Sequence, residues 1–251
     1  MSFLFGNVTR DAVSEVSDRA GTQRVAFEER INYSDFQFRP GLAYQLKLKD
    51  KLYLNAGATY TIGTNVTARR LSTIQQRTVT QTNADPQIIF RDTLESQQRG
   101  SVFLPAETQA GLSLEKINQW MVGVDFSTQS WANYRSFGVG ENLGTAYRLS
   151  LGGEITPNLF SINNYLKRAS YRLGVSYAEL PVRIGNRQLD DVSLSLGASF
   201  PLGRGLSAIN LAVVAGQRGR FSQSSIKEQY IKVLVGFTLR DAQWFIKRKL
   251  D

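Results

Sequence analysis

The sequence contains neither cysteine nor histidine. The missing cysteine excludes disulfide bonds and thiolate chemistry. The missing histidine excludes a Ser–His–Asp triad, histidine acid–base catalysis and histidine-ligated zinc. We therefore expect a protein that is not an enzyme, with no catalytic residue, no cofactor and no metal site.

Long apolar runs are also missing, although 42% of the residues are hydrophobic. No stretch approaches the roughly 18–20 apolar residues that a membrane-spanning helix needs. A membrane β-barrel carries its lipid-facing residues at every second position, so its average hydropathy over a window stays low. The composition therefore argues against helical membrane spans and leaves a barrel open.

The formal net charge is +9, which could indicate a nucleic-acid partner. The basic residues are scattered, however, and form one dense run, Lys247, Arg248 and Lys249, at the end of the sequence. We interpret this run as a solvated tail, with binding to acidic lipid headgroups as the alternative. No nucleic-acid partner is expected.

Strict alternation of apolar and polar residues is the main pattern in the chain, and 35–49 shows it most clearly. Phe36, Phe38, Leu42 and Tyr44 occupy even positions there, between polar or small residues at odd positions. A period of two indicates a β-strand with one apolar face. The pattern recurs along the chain and predicts about ten strands, most with the roughly 9–11 residues that cross a bilayer at a tilt.

The connections between these strands differ in length. Short ones lie at 49–51, 115–118 and 203–205, and the predicted long polar ones lie at 9–31, 66–101, 132–145, 179–188 and 219–228. Short periplasmic turns opposite long extracellular loops are typical of outer-membrane barrels. We therefore predict an all-β fold, an antiparallel transmembrane β-barrel formed as a single domain by residues 1–251. A large soluble β-protein is the alternative.

Charged residues on the polar face of the predicted strands are the candidate functional residues. Their strand parity predicts that they line the lumen; they are Arg39, Glu107, Asp125, Arg148, Glu154, Arg172 and Asp191. They could brace the barrel wall, form a selectivity lining for a solute, or, least expected, include a catalytic carboxylate pair. Glu154 and Arg172 flank one predicted turn with the same parity, which predicts an ion pair across the two strands.

Several strand and turn phrases resemble the long-chain fatty-acid transporter (FadL-type) family of outer-membrane proteins. They cover the chain from about Phe36 to its end; they are 120–126 (WMVGVDF), 171–174 (YRLG), 200–205 (FPLGRG), 216–219 (GQRG) and 244–249 (WFIKRK). The resemblance implies a 14-stranded barrel with an N-terminal hatch in its lumen. No signal peptide is visible at Met1, so we expect this chain to be a C-terminal portion, with the hatch and about four strands upstream. No ligand-binding residue is carried over.

The barrel pattern and the resemblance together predict a porin-like protein of the Gram-negative outer membrane. Our first hypothesis is a channel that lets small hydrophobic molecules diffuse passively. The alternative is a non-transporting barrel subunit, or scaffold, of an outer-membrane secretion or assembly complex, because fold alone does not decide function. The expected partners are outer-membrane lipid and lipopolysaccharide, together with hydrophobic small molecules or other outer-membrane proteins.

Overall fold

The computed structural model describes residues 1–18, 21–78, 87–185, 187–202, 207–219 and 227–239. These residues form fifteen strands and two short 3-10 helices, Trp131–Asn133 and Tyr165–Arg168. The strands are β1 (Ser2–Asp18), β2 (Gly21–Gln37), β3 (Gly41–Lys49), β4 (Leu52–Thr61), β5 (Thr64–Thr78), β6 (Gln87–Leu104), β7 (Glu107–Lys116), β8 (Trp120–Ser130), β9 (Arg135–Ser136), β10 (Val139–Gly140), β11 (Thr145–Ile155), β12 (Ser170–Ile184), β13 (Arg187–Pro201), β14 (Ala208–Arg218) and β15 (Glu228–Thr238). The predicted all-β, antiparallel fold is confirmed.

The chain folds into two compact units, and each unit contains one sheet. The first unit, Met1–Arg39, Thr61–Ala106 and Asn133–Glu141, contains a six-stranded sheet in the order β1-β2-β5-β6-β9-β10. The second unit, Pro40–Tyr60, Glu107–Ala132 and Asn142–Asp251, contains a nine-stranded sheet in the order β15-β14-β13-β12-β11-β8-β7-β4-β3. A single barrel domain therefore stays a prediction.

The nine-stranded sheet leaves its apolar face exposed. Leu42 is 77% exposed, Leu112 54% and Ile231 75%, and most of the other large apolar residues of the same parity are also exposed. A soluble sheet would bury this face against a second layer. An extended apolar surface of this kind marks contact with a membrane or a protein.

The six-stranded sheet has a small core of its own. Ile31, Ala68 and Val102 are buried, and partly buried aromatic residues such as Tyr33 and Phe137 pack against them. A polar layer accompanies this core: Gln75 is 1% exposed and its amide donates to Glu28 (2.7 Å). Burial of a polar side chain is tolerated where its hydrogen bonds are made.

Several predicted long loops are strands in the structure. Within the predicted loop 9–31, residues 9–18 lie on β1 and residues 21–31 on β2. Within 66–101, residues 66–78 lie on β5 and residues 87–101 on β6. The segment 179–188 is also largely strand, because β12 continues to Ile184 and β13 begins at Arg187. The loop interpretation was wrong for these segments. Both faces of these strands carry polar side chains, so the sequence does not alternate between apolar and polar residues there.

The predicted short turns agree better with the structure. Lys51 (φ 59°) lies in the turn between β3 and β4, and Asn118 (φ 61°) lies in the turn between β7 and β8. The Ile117 amide donates to the Lys51 carbonyl (2.9 Å), so these turns lie at one end of the sheet. The predicted turn at 203–205 and the basic run at 247–249 lie outside the described residues.

Among the described residues, no helix is long and apolar enough to span a bilayer.

Candidate functional site: a groove on the polar face of the nine-stranded sheet

The polar face of the nine-stranded sheet forms a groove of about 1060 Å³. Small residues make its floor. They come from five adjacent strands and include Gly57, Gly111, Ser113, Gly123, Ser150, Gly152, Gly174 and Ser176. Because these residues carry little or no side chain, the space above the backbone stays open where larger residues would fill it.

Strand register places the small residues side by side. Gly123 of β8 is opposite Ser113 of β7 and Gly152 of β11, and Gly152 is in turn opposite Gly174 of β12. Directly opposed residues point their side chains to the same face of a sheet. The floor is therefore a continuous band across the strands rather than a set of separate gaps.

Four of the seven predicted lumen residues line the groove: Asp125, Arg148, Glu154 and Arg172. Asp125 lies beside Gly111, where any added Cβ would meet its Oδ1 atom. Arg148 makes a long hydrogen bond from Nη1 to the Ser176 hydroxyl (3.4 Å). The charged groups therefore sit among the small residues and give the groove both signs of charge.

The predicted ion pair between Glu154 and Arg172 is confirmed. The two residues are directly opposed in the β11–β12 register, and Arg172 Nε donates to Glu154 Oε2 at 2.6 Å. Their side chains are 29% and 48% exposed. Water therefore screens the pair, and its contribution to stability is expected to be small, about 0.2–1 kcal/mol.

The other three predicted residues lie elsewhere. Glu107 begins β7 and accepts a hydrogen bond from Gln109 Nε2 (2.7 Å). Arg39 belongs to the first unit, where its Nε donates to Thr61 Oγ1 (2.7 Å). Asp191 is on β13 and only 8% exposed. Whether the seven residues line a lumen stays a prediction.

Asp191 is the centre of a polar cluster that the sequence interpretation missed. It accepts hydrogen bonds from Arg218 Nε (3.1 Å) and Tyr230 Oη (2.8 Å), which lie on β14 and β15. The Tyr230 ring lies over Gly216, its directly opposed residue. The parity of Arg218 and Tyr230 could have revealed both, since each continues the polar face of its strand. The hydrogen bonds of Asp191, Arg218 and Tyr230 therefore connect β13, β14 and β15.

No group of three or more potential metal ligands occurs among the residues that the structure describes.

Comparison with known families gives a match along the whole chain. Residues 1–251 match the family described as BamG. The chain belongs to the BamG family. Among curated proteins, none matches this BamG-family chain.

Solved structures show which fold the BamG-family chain shares. The CymD monoaromatic hydrocarbon channel is similar with a TM-score of 0.50 and 14% identity, over 94% of this chain and 76% of the channel. The P. putida toluene transporter TodX gives a TM-score of 0.40 and 16% identity, over 92% of this chain and 53% of TodX. CymD is a FadL-type protein, so the resemblance indicated by the sequence is confirmed for the fold. The chain spans about half the length of TodX.

Proposed function

We propose that the chain forms part of the wall of an outer-membrane β-barrel and that its groove admits small hydrophobic molecules by passive diffusion. The exposed apolar face of the nine-stranded sheet supports the membrane location. Among the described residues no second protein layer buries this face, and lipid would cover it in a bilayer. The observation that carries the function is the open band of small residues on the opposite face. It leaves room for a solute while the sheet separates that solute from lipid.

The lining of the groove favours a small, largely uncharged solute. Glycine, alanine and serine dominate it, and Glu154 and Arg172 neutralise each other. A wide ionic pore would instead expose rings of charge of one sign. The CymD monoaromatic hydrocarbon channel has the same fold and suggests that solute class for the test.

Two neighbouring glycines allow a direct test. Gly152 lies in the groove, and a Cβ added there meets nothing closer than 3.4 Å. The backbone of Gly153 also borders the groove, but by strand parity a Cβ added there lies on the opposite face, 3.3 Å from the Met121 carbonyl oxygen. We expect Gly152→Trp to reduce the uptake of a radiolabelled monoaromatic hydrocarbon by cells and Gly153→Trp to leave it unchanged. Equal uptake by wild type and Gly152→Trp, at equal surface expression, would exclude the groove as the path.

A second candidate function is a structural subunit of a larger outer-membrane complex, and the edges of the nine-stranded sheet favour it. Nine strands that alternate in direction leave the two edges, β3 and β15, parallel to each other. The bilayer requires every backbone donor and acceptor to be paired. An all-antiparallel barrel has an even number of strands. A closed barrel that contains these nine strands therefore needs an odd number of additional strands, which either this polypeptide or a partner would supply.

Purified protein in a planar bilayer separates the two candidates. The channel proposal predicts little steady ion conductance together with binding of an apolar solute. The subunit proposal predicts neither conductance nor solute binding, together with stable co-purification of another outer-membrane protein. Large, steady conductance would contradict both and indicate a general porin.

A further inference from the structure

The six-stranded sheet carries aromatic and basic residues on one face. Phe3 and Phe36 are directly opposed on β1 and β2, and Asn32 and Arg30 follow Phe36 on alternate positions of β2. Asn32 is opposed to Arg69 of β5, and Arg69 is opposed to Arg99 of β6. Directly opposed residues and alternate residues of one strand share a face. We call this surface, defined by Phe3, Phe5, Phe36, Arg30, Arg69 and Arg99, the Phe–Arg face.

The three arginines of this face are exposed, and none of them forms a hydrogen bond or ion pair with another residue that the structure describes. Within the part of the chain that the structure describes, no carboxylate lies within ion-pair distance of Arg30, Arg69 or Arg99. Arg69 and Arg99 are directly opposed, an arrangement of like charges that destabilises a sheet. An anionic ligand would remove this repulsion.

The acidic residues near the arginines do not neutralise them. The Glu28 carboxylate accepts a hydrogen bond from Gln75 Nε2 (2.7 Å) and forms an ion pair with Arg91 (3.6 Å). Asp35 accepts hydrogen bonds from the amide (3.0 Å) and hydroxyl (3.1 Å) of Thr67. Asp11 lies diagonally from Arg30 in the register without forming an ion pair. The positive charge of the Phe–Arg face therefore remains available to a ligand.

The phenylalanines form an apolar cluster at one end of the same face. The rings of Phe3 and Phe36 are 5.0 Å apart, those of Phe3 and Phe5 are 5.9 Å apart, and Phe5 is 76% exposed. Arg69 and Arg99 lie level with Asn32, four residues from Phe36, which corresponds to about 13 Å along the strand. Arg30 lies about 20 Å from Phe36 on the same scale.

We propose that the Phe–Arg face binds lipopolysaccharide, with the acyl chains against the phenylalanines and the phosphorylated saccharide against the arginines. The inference rests on the proposed outer-membrane location. Guanidinium groups bind phosphate through paired hydrogen bonds. A phospholipid headgroup layer is only about 5–8 Å thick, whereas the arginines extend about 13–20 Å from the phenylalanines. A larger phosphorylated saccharide fits that distance.

The test compares the purified protein with the triple variant Arg30→Gln, Arg69→Gln and Arg99→Gln. A control triple, Lys47→Gln, Lys49→Gln and Lys51→Gln, removes the same charge from β3 and its turn. The probes are bisphosphorylated lipid A, dephosphorylated lipid A and phosphatidylglycerol, each in the same detergent. We expect the arginine triple to bind bisphosphorylated lipid A at least about tenfold more weakly, a change of about 1.4 kcal/mol, and the lysine triple to bind it like the wild type.

The remaining outcomes also decide the proposal. Wild-type protein should prefer bisphosphorylated over dephosphorylated lipid A. Arg→Lys variants at the three positions keep the charge but lose the paired hydrogen bonds, so they should bind more weakly than the wild type and more tightly than the arginine-to-glutamine triple. Equal binding by the arginine triple, an equal loss in the lysine triple, or equal binding of phosphatidylglycerol would overturn it. Solute uptake is measured separately, so failure of the channel proposal would not be mistaken for failure here.

Discussion

Replacement of Leu112 by arginine tests whether the apolar face of the nine-stranded sheet contacts lipid. Leu112 is the sixth of the ten residues of β7 and is 54% exposed on its apolar face, so it lies near the middle of the strand that we propose to span the outer membrane. Arginine on the lipid face at mid-bilayer costs about 2–4 kcal/mol. Since 1.4 kcal/mol is a factor of ten, the ratio of folded to unfolded protein should fall by roughly 30- to 700-fold.

Gln109→Arg is the matched control because Gln109 lies on the same strand and points to the polar face. Its amide contacts Glu107 (2.7 Å) and Thr59 (3.4 Å), so an arginine there meets polar groups and water. Unfolding by urea in phospholipid vesicles, followed by tryptophan fluorescence, should show a large loss of stability for Leu112→Arg and little change for Gln109→Arg. Equal losses, or a larger loss for Gln109→Arg, would refute the assignment of the two faces.

Two further predictions concern contacts on the polar face. A double-mutant cycle with Glu154→Gln and Arg172→Gln should give a coupling of about 0.2–1 kcal/mol that decreases at high salt, because the pair is partly exposed; a coupling above 2 kcal/mol would show that water does not reach it. Gly216→Ala should lower the free energy of unfolding by about 1–3 kcal/mol, because its Cβ would meet the Tyr230 ring. Gly236→Ala, whose nearest contact would be 3.8 Å away, should have little effect in the same urea titration, and similar losses for both would contradict this explanation.

Strands whose two faces differ in polarity could be predicted from the amino-acid sequence alone. In β7 and β11, apolar residues alternate with small or polar ones, so the period of two gave both the strand and the side of the sheet on which each residue lies. The ion pair between Glu154 and Arg172 was predictable for the same reason, because a turn between two such strands fixes their approximate register.

Features that depend on neighbours distant in sequence could be identified only from the folded chain. The strands β1, β2, β5 and β6 carry polar residues on both faces, so only their pairing in a six-stranded sheet shows that they are strands. Likewise, the groove exists because glycines from β4, β7, β8, β11 and β12 come into register, and no single strand contains that information. Cross-strand register also creates the cluster around Asp191 and the row Arg30, Arg69 and Arg99. It determines which residues, far apart in the sequence, become neighbours on one face of the sheet.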